Sequence, residues 1–306
     1  MGEIIIPMSD WYNVYTHNDL DGAVSLLTFL WSRDRDDGVS WKSYNNLQIN
    51  NIIADSEQNT DNVNTLILDL ALREEFHPSL DRENITFIDH HESSEPFLNK
   101  FQKAKILYKN TTSNALWMAQ LFKGEKYPTR TDAQKMLIAL ADDFDCYRLN
   151  IPESYDLNIL FWSEYKNKFT KFIKDYSQGF KPFSPEQKKA ISYLKSEAEK
   201  EANNLPLFTG EINFGTRKKR VLATMSEGFS NICNDLLMKR HKPDVFFFIN
   251  PKTEKVAIRQ YTKEDPINVG SFAEKICDGG GHKHAGGGKI TPLFMEVTKN
   301  LHPLNK

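Results

Sequence analysis

The densest chemistry in this sequence is the run Phe87-Ile88-Asp89-His90-His91-Glu92, in which a carboxylate and two imidazoles follow an apolar segment. Imidazole and carboxylate together suit manganese, iron, cobalt or zinc, and a carboxylate beside a ligating histidine can also orient it. Three further clusters share the character of this one. Thr16-His17-Asn18-Asp19-Leu20-Asp21-Gly22 places three candidate ligands at alternate positions. If the backbone is extended, His17, Asp19 and Asp21 point the same way. If it bends into a helix at Gly22, they can wrap an ion, and a third reading makes Asp21 the cap of that helix. Leu66-Ile67-Leu68-Asp69 ends an apolar segment on one acid, and Ala141-Asp142-Asp143-Phe144-Asp145-Cys146-Tyr147 gathers three. Acids at a helix C-terminus oppose the helix dipole, and a cation would remove that conflict. Singly, each cluster also fits a solvated loop or a cap. Together they supply enough oxygen and nitrogen for two metal ions, and two ions about 3.5–4 Å apart are a standard arrangement for phosphoester hydrolysis. Asp69, on a central strand, is the natural shared ligand.

The elements that must position these groups can be read from apolar patterning. Trp11–Thr16, Thr65–Leu70 and Ile85–Ile88 read as strands, and Ala23–Trp31, Ser113–Phe122 and Ala133–Ala141 as helices. This alternation predicts an α/β domain with a parallel sheet. Sites in such sheets collect at the carboxyl ends of strands, where Asp19, Asp69 and Asp89 stand. From Phe161 to Asn204 the texture turns to Lys, Glu, Tyr and Phe, with Pro185–Asn203 as an exposed helix. The last third contains strand Arg220–Met225, helix Asn231–Arg240, a hairpin of Asp244–Ile249 and Lys255–Tyr261 around Asn250-Pro251, and a short helix Val269–Cys277. Gly279-Gly280-Gly281-His282 and Gly286-Gly287-Gly288 follow. The expected organisation is a first domain over 1–165, a helical linker over 166–204 and a smaller α/β domain over 205–306.

The motifs in order resemble the DHH phosphoesterases, named for the Asp-His-His seen at Asp89–His91. The resemblance rests on His17–Gly22, Asp69, Asp89–His91 and the Asp-x-Asp at Asp143–Asp145. Gly279–His282, with Ala285 and Gly286 after it, resembles the DHHA1 domain that accompanies them, and Arg259 on the preceding strand fits. The chain departs from the pattern at Gly286, where a second alanine is common. The resemblance implies metal ligation by His17, Asp19, Asp21, Asp69, His90 and Asp143. One ion would take His17, Asp19 and Asp69, the other Asp21, Asp69, His90 and Asp143. Asp143 is chosen over Asp142 because Asp143–Arg148 resembles an Asp-x-Asp-x-aromatic-basic pattern. Manganese is the family's usual ion, with magnesium and cobalt as alternatives. His91 would donate to the scissile phosphate, and Asp89 would orient its neighbours. Asp69, Asp89 and His91 thus form the implied catalytic group.

In the last third, Gly279, Gly280 and Gly281 can take backbone angles closed to other residues, and successive N–H groups can converge on an anion. Arg259, His282 and His284 would add donors, making a substrate-binding loop; a tight turn is the plain alternative. The resemblance implies an active site in the cleft between the two domains. Val14–Gly22 looks most like nanoRNase-type members. That implies hydrolysis of short single-stranded RNA or DNA to mononucleotides, with pAp or linear dinucleotides at the same site. A cyclic-nucleotide or cyclic-dinucleotide phosphodiesterase and a single-strand exonuclease would use the same motifs, and an inactive nucleotide-binding module is the non-enzyme alternative.

Composition bounds these readings. The chain has 306 residues, 26% of them charged, and a net charge of −2, so a polyanion must meet a local basic patch or metal ions rather than a globally basic protein. Arg217–Arg220 and Lys239–Lys242 are two such basic runs, and a solvated face is the reading preferred for most of their residues. Cys146, Cys233 and Cys277 make no CxxC pair, which points to the reducing cytoplasm. Met1–Asp10 lacks the pattern of a signal peptide. No apolar stretch approaches a membrane span, so no membrane partner is expected. A homodimer is one arrangement open to such a chain.

Overall fold

A computed structural model describes residues 11–33, 38–45, 48–58, 63–124, 127–165, 168–227, 231–261 and 267–304, apart from the side chains of Asn231 and His282. The N-terminal segment read above for a signal peptide lies outside them. Two units emerge, Met1–Ile191 and Ser192–Lys306.

In the first unit, β1 (Tyr12–His17) leads into α1 (Leu20–Trp31), β2 (Val39–Tyr44), α2 (Ile49–Glu57) and β3 (Asn64–Leu68). The short helix α3 (His77–Leu80), β4 (Ile85–Asp89), β5 (Lys105–Tyr108), α4 (Asn114–Leu121) and α5 (Asp132–Asp145) follow. α6 (Pro152–Leu160), a π-type turn at Phe161–Tyr165 and α7 (Phe169–Asp175) complete it. The sheet has the order β2-β1-β3-β4-β5 with every pairing parallel, as expected from the sequence. Thr65 to Leu68 are all buried, as befits a strand covered on both faces. One face carries Tyr15, Ile67, Phe76 and Phe87 in a shared core. On the unit's other side α1, buried from Leu20 to Phe29, packs against α4 and α5. Strand order reverses between β1 and β3, and the crevice at the carboxyl ends of such a switch point is where open α/β sheets bind ligands.

Much of the segment expected to act as a linker belongs to this unit. Phe172 of α7 stacks on Tyr176, with ring centroids 4.5 Å apart, and Phe180 N donates to Ala133 O at 2.8 Å. Gly179 is required there, since a Cβ would lie 2.3 Å from the Ala133 carbonyl carbon. The long α8 (Pro185–Asn204) runs across the boundary between the units.

The second unit is built from β6 (Leu207–Phe214), β7 (Arg217–Met225), α9 (Asn231–His241), β8 (Val245–Asn250), β9 (Lys255–Gln260), α10 (Val269–Cys277), β10 (Gly280–His282), β11 (Ala285–Lys289), α11 (Pro292–Thr298) and β12 (His302–Pro303). Its sheet has the order β10-β11-β9-β8-β7-β6-β12. Only the β7–β8 pairing, bridged by α9, is parallel. Val245–Asn250 is buried throughout, marking the centre of the sheet. Val221, Phe247, Ile258, Ala273 and Phe294 join one core, and Ala198, Leu222, Leu237 and Phe248 another.

Two sequence expectations change here. The strand expected over Arg220–Met225 starts at Arg217, so the basic run opens β7, where Lys218 pairs with Glu211 at 2.5 Å and Lys219 is buried. The glycine-rich loop is instead an antiparallel hairpin pairing Gly280 with Gly287 and Gly281 with Gly286. No helix among the described residues is long and apolar enough to cross a membrane.

Candidate metal centre

The switch point of the first sheet is lined by His17 at the end of β1, Asp19 and Asp21 just beyond it, Asp69 after β3, and Asp89-His90-His91 at the end of β4. β1 ends on His17, and α1 starts at Leu20, two residues before Gly22. The motif is therefore neither extended throughout nor bent only at Gly22. Asp19, not Asp21, is the cap: its Oδ1 accepts from Gly22 N at 2.9 Å, while its Oδ2 stands 2.7 Å from His17 Nδ1. Gly22 is required because a Cβ would sit 2.1 Å from the His17 carbonyl oxygen. That close approach draws the first turn of α1 onto the end of β1.

Asp21, freed from capping α1, serves another helix. Its carboxylate accepts from Asn114 N at 2.7 Å and Ala115 N at 3.0 Å. Asp142 accepts from Ser113 N at 2.9 Å, and the Ser113 hydroxyl accepts from Leu116 N at 3.2 Å. The four N–H groups that a helix start leaves without intrahelical partners are thus all satisfied at α4. Two of them hold Asp21 in place.

Asp69 has φ +57°. A left-handed backbone is costly for a residue with a side chain, though aspartate tolerates it better than most, and such strain concentrates at functional sites. Its N–H remains bound to Ile88 O at 3.0 Å, so the strand end stays pinned while the carboxylate turns inward. One carboxylate oxygen lies 3.1 Å from His90 Nε2 and the other 3.8 Å from His17 Nδ1. His90 Nδ1 meets Thr112 O at 2.9 Å. A carbonyl can only accept, so Nδ1 carries the proton and neutral His90 presents the Nε2 lone pair to the cluster.

The fourth motif corrects the sequence reading. Asp142, Asp143 and Asp145 lie inside α5 rather than in a loop after it. On a helix, residues three apart share a face and a neighbour one position on does not. Asp142 and Asp145 therefore share one face of α5, and Asp143 lies on another. Asp145 Oδ2 lies 3.7 Å from His90 Nε2, and His90 Nε2 lies 3.6 Å from Asp21. The Asp143 carboxylate is engaged elsewhere, accepting from Asn150 N at 3.0 Å, Ile151 N at 3.0 Å and Ser154 Oγ at 2.6 Å. The place expected for Asp143 in the cluster is taken by Asp145.

Three overlapping groups emerge: His17, Asp19 and Asp69; Asp21, His90 and Asp145; and Asp69, His90 and His91. The electrostatics fit a cation. Both Asp69 oxygens and Asp145 Oδ2 are buried without a well-aligned hydrogen bond, which is costly for ionised groups unless positive charge is supplied. Burial, then the charges of Asp21 and Asp19, pushes the Asp69 carboxyl well above its ordinary value. Burial and the charge of Asp145 push Asp21 up to about 7. Burial would lower His90, but the charge of Asp145 and the contact with Asp69 outweigh it and raise it well above 6.5. A cluster that holds protons this tightly is one that divalent cations can discharge, and its oxygen and imidazole donors suit manganese-like ions.

Asp89 stands apart from this crowding. Burial opposes its ionisation, but the charge and hydrogen bond of His91 hold it down to about 2. Its Oδ1 lies 2.7 Å from His91 Nδ1, and its Oδ2 accepts from Ser94. Ser94 has no part in the sequence motifs, and only the contact reveals it. In the second unit, Arg259 lies on β9 opposite Ala285 of β11 and donates to Gly286 O at 3.2 Å. His284 O accepts from Gln260 N at 2.9 Å. A Cβ on Gly279 would lie 1.9 Å from Gly287 O and one on Gly281 2.4 Å from Ala285 O, whereas Gly280 has open space. Close backbone packing thus accounts for two of the three glycines. The side chain of His282 lies outside the described residues.

Residues 221–301 match the DHHA1 domain. No curated protein matches the chain. Among solved structures, the chain is similar to the DHH domain of a member of a family of ribosomal proteins, at 13% identity and TM-score 0.55, covering 95% of this chain and 85% of that one. It is similar to PggH, a pGpG-specific phosphodiesterase from Vibrio cholerae, at 15% identity and TM-score 0.54, covering 94% and 96%. RecJ in complex with Mn²⁺ from Thermus thermophilus matches at 10% identity and TM-score 0.50, covering 97% of this chain and 53% of that one. Residues 221–301 are thus matched as a DHHA1 domain, and the chain shares its fold with these solved structures.

Proposed function

We propose that this chain is a metal-dependent phosphodiesterase that hydrolyses short single-stranded oligonucleotides, linear dinucleotides among them, to mononucleotides. The observation that carries the proposal is Asp69, whose two buried oxygens face His17 on one side and His90 on the other. His17, Asp19 and Asp69 would hold one divalent ion, and Asp69, Asp21, His90 and Asp145 a second; manganese suits both sets, with magnesium or cobalt as alternatives. Ions so bound supply a water of lowered pKa and neutralise phosphate oxygens.

The protein's own part is positioning. α4 fixes Asp21 through two backbone N–H groups, and Thr112 fixes the tautomer of His90. Asp89 takes the Nδ1 proton of His91 in a hydrogen bond, which leaves Nε2 as the nitrogen to meet the scissile phosphate; protonated, it would stabilise charge developing there. In the second unit Arg259, Gly279, Gly280, Gly281, His282 and His284 are proposed to bind substrate. Similarity to a pGpG-specific phosphodiesterase favours substrates of about this size. The three cysteines form no disulfide, which agrees with a reducing, cytoplasmic setting.

The test is hydrolysis with Mn²⁺ of a panel: 5′-phosphorylated RNA and DNA from dinucleotides upward, pAp, and cyclic dinucleotides. Fastest loss of the shortest linear RNAs is expected. Preference for cyclic dinucleotides or for long single-stranded DNA would overturn the substrate assignment. Mn²⁺ binding with no turnover of any member would favour a nucleotide-binding module.

A further inference from the structure

Ser94 lies outside every motif, yet it is fully buried beside the centre. Its backbone N–H donates to His91 O at 2.9 Å, closing a turn that folds the residue back onto the end of β4. Its Oγ accepts from Leu72 N at 2.8 Å and donates to Asp89 Oδ2. Asp89 Oδ1 in turn meets His91 Nδ1 at 2.7 Å. A continuous chain thus runs from the Leu72 amide, through the Ser94 hydroxyl and the Asp89 carboxylate, to the imidazole of His91.

Each link has one workable polarity. The Leu72 amide can only donate, so the Ser94 oxygen accepts and its single proton turns to Asp89. The ionised carboxylate can only accept, so His91 Nδ1 carries a proton. Leu72 follows Asp69 by three residues on the segment leaving β3, while Asp89 and His91 close β4. The hydroxyl therefore ties the strand end that carries Asp69 to the one that carries His91. An alanine would leave Leu72 N–H and one Asp89 oxygen buried and unpaired, and Asp89 would be free to rotate about its remaining bond to His91.

We propose that Ser94 is a positioning residue for the reaction, setting the orientation and tautomer of His91 through Asp89. The inference rests on the phosphodiesterase reading of the site. Loss of such a supporting partner typically lowers activity roughly 10–100-fold.

Four variants of the full chain test it: Ser94→Ala, Ser94→Thr, His91→Ala and the double variant Ser94→Ala/His91→Ala. Ser94→Ala should lose kcat with little change in KM, and Ser94→Thr, which keeps the hydroxyl, should recover part of it. In the His91→Ala background, Ser94→Ala should cost nothing further, because its effect passes through His91. A readout independent of turnover is the ¹H–¹⁵N signal of His91 Nδ1 in ¹⁵N-histidine-labelled protein. It should be present in wild type and shift or vanish in Ser94→Ala. If the wild type proves inactive on every substrate, the phosphodiesterase reading fails, while the imidazole signal still decides the hydrogen-bond chain. Unchanged kcat and an unchanged signal in Ser94→Ala would overturn the proposal. So would additive losses in the double variant, which would mark a purely structural role. Should Ser94→Ala fail to fold, Ser94→Thr and Ser94→Cys, which retain a donor of graded strength, must rank in kcat and in His91 signal together; no correlation overturns it.

Discussion

At the residue scale, the motif spacing marked Asp19, Asp21 and Asp69 and the imidazoles of His17 and His90, but it chose Asp143 over Asp142 where the cluster holds Asp145. That choice depends on whether the run is helix or loop. α5 continues to Asp145, which puts Asp142 and Asp145 on one face. Asp143 is bound to the start of α6 instead. Asp89 and His91 were legible as a pair, whereas Ser94 was not, because a serine in a polar stretch carries no spacing signal. Two consequences can be measured. Asp69→Ala should abolish hydrolysis while near-native circular dichroism persists, since its two carboxylate oxygens face His17 and His90; residual turnover near the wild-type rate would remove its shared role. Asp143→Ala should act mainly on stability, costing about 1–3 kcal/mol through the buried donors it leaves unpaired, as read from denaturant unfolding.

At the element scale, most strands and helices near the site were readable from apolar runs bounded by polar clusters. The first turn of α1 was not, because Leu20-Asp21-Gly22 looks like a loop. Helix there is enforced by the Asp19 cap and by the approach of Gly22 to the His17 carbonyl. β2 and β5 escaped notice because they are edge strands with mixed exposure. The glycines at 279–281 suggested a loop, yet pairing of Gly280 with Gly287 and of Gly281 with Gly286 makes those two strand. Close approach of backbones excludes side chains there, a need that sequence cannot distinguish from that of a turn. Gly22→Ala tests the tight contact: overpacking of this kind costs about 1–3 kcal/mol, so thermal stability and metal affinity should fall together. Wild-type affinity for Mn²⁺ in that variant would show that the turn of α1 does not hold Asp19 and Asp21 in register.

At the scale of the whole molecule, two α/β units were foreseen, and the second contains the matched DHHA1 segment. The boundary was harder to see: the aromatic segment after Phe161 packs as core of the first unit, although its Lys and Glu content resembles a linker. The crowded centre also sets a pH dependence. Asp21 is raised from 3.8 to about 7, and Asp69, His17 and His90 are raised as well. Groups raised on folding bind more protons in the native state, so their stabilisation is complete below the unfolded values and is lost as pH climbs through the folded ones. The metal-free protein should therefore lose stability between about pH 4 and neutrality from Asp21 alone, and further above pH 6.5 from the histidines. Divalent ions compete with these protons, so the rise in Tm given by a fixed Mn²⁺ concentration should grow with pH. At a concentration of about 100 Kd, one site contributes roughly 2.7 kcal/mol. Scanning calorimetry at about pH 5 and about pH 8, with and without Mn²⁺, checks this, and a larger gain at the lower pH would contradict it.

The most direct test of the centre is to count the Mn²⁺ ions bound by the full chain, using electron paramagnetic resonance, in wild type, Asp145→Asn and Asp143→Asn. Two ions in wild type and in Asp143→Asn, with one lost or greatly weakened in Asp145→Asn, is the result expected from the shared carboxylate of Asp69 and the helical face of Asp145. Retention of both ions in Asp145→Asn together with loss of one in Asp143→Asn would contradict the assignment. A wild-type protein that binds none would contradict the metal centre itself.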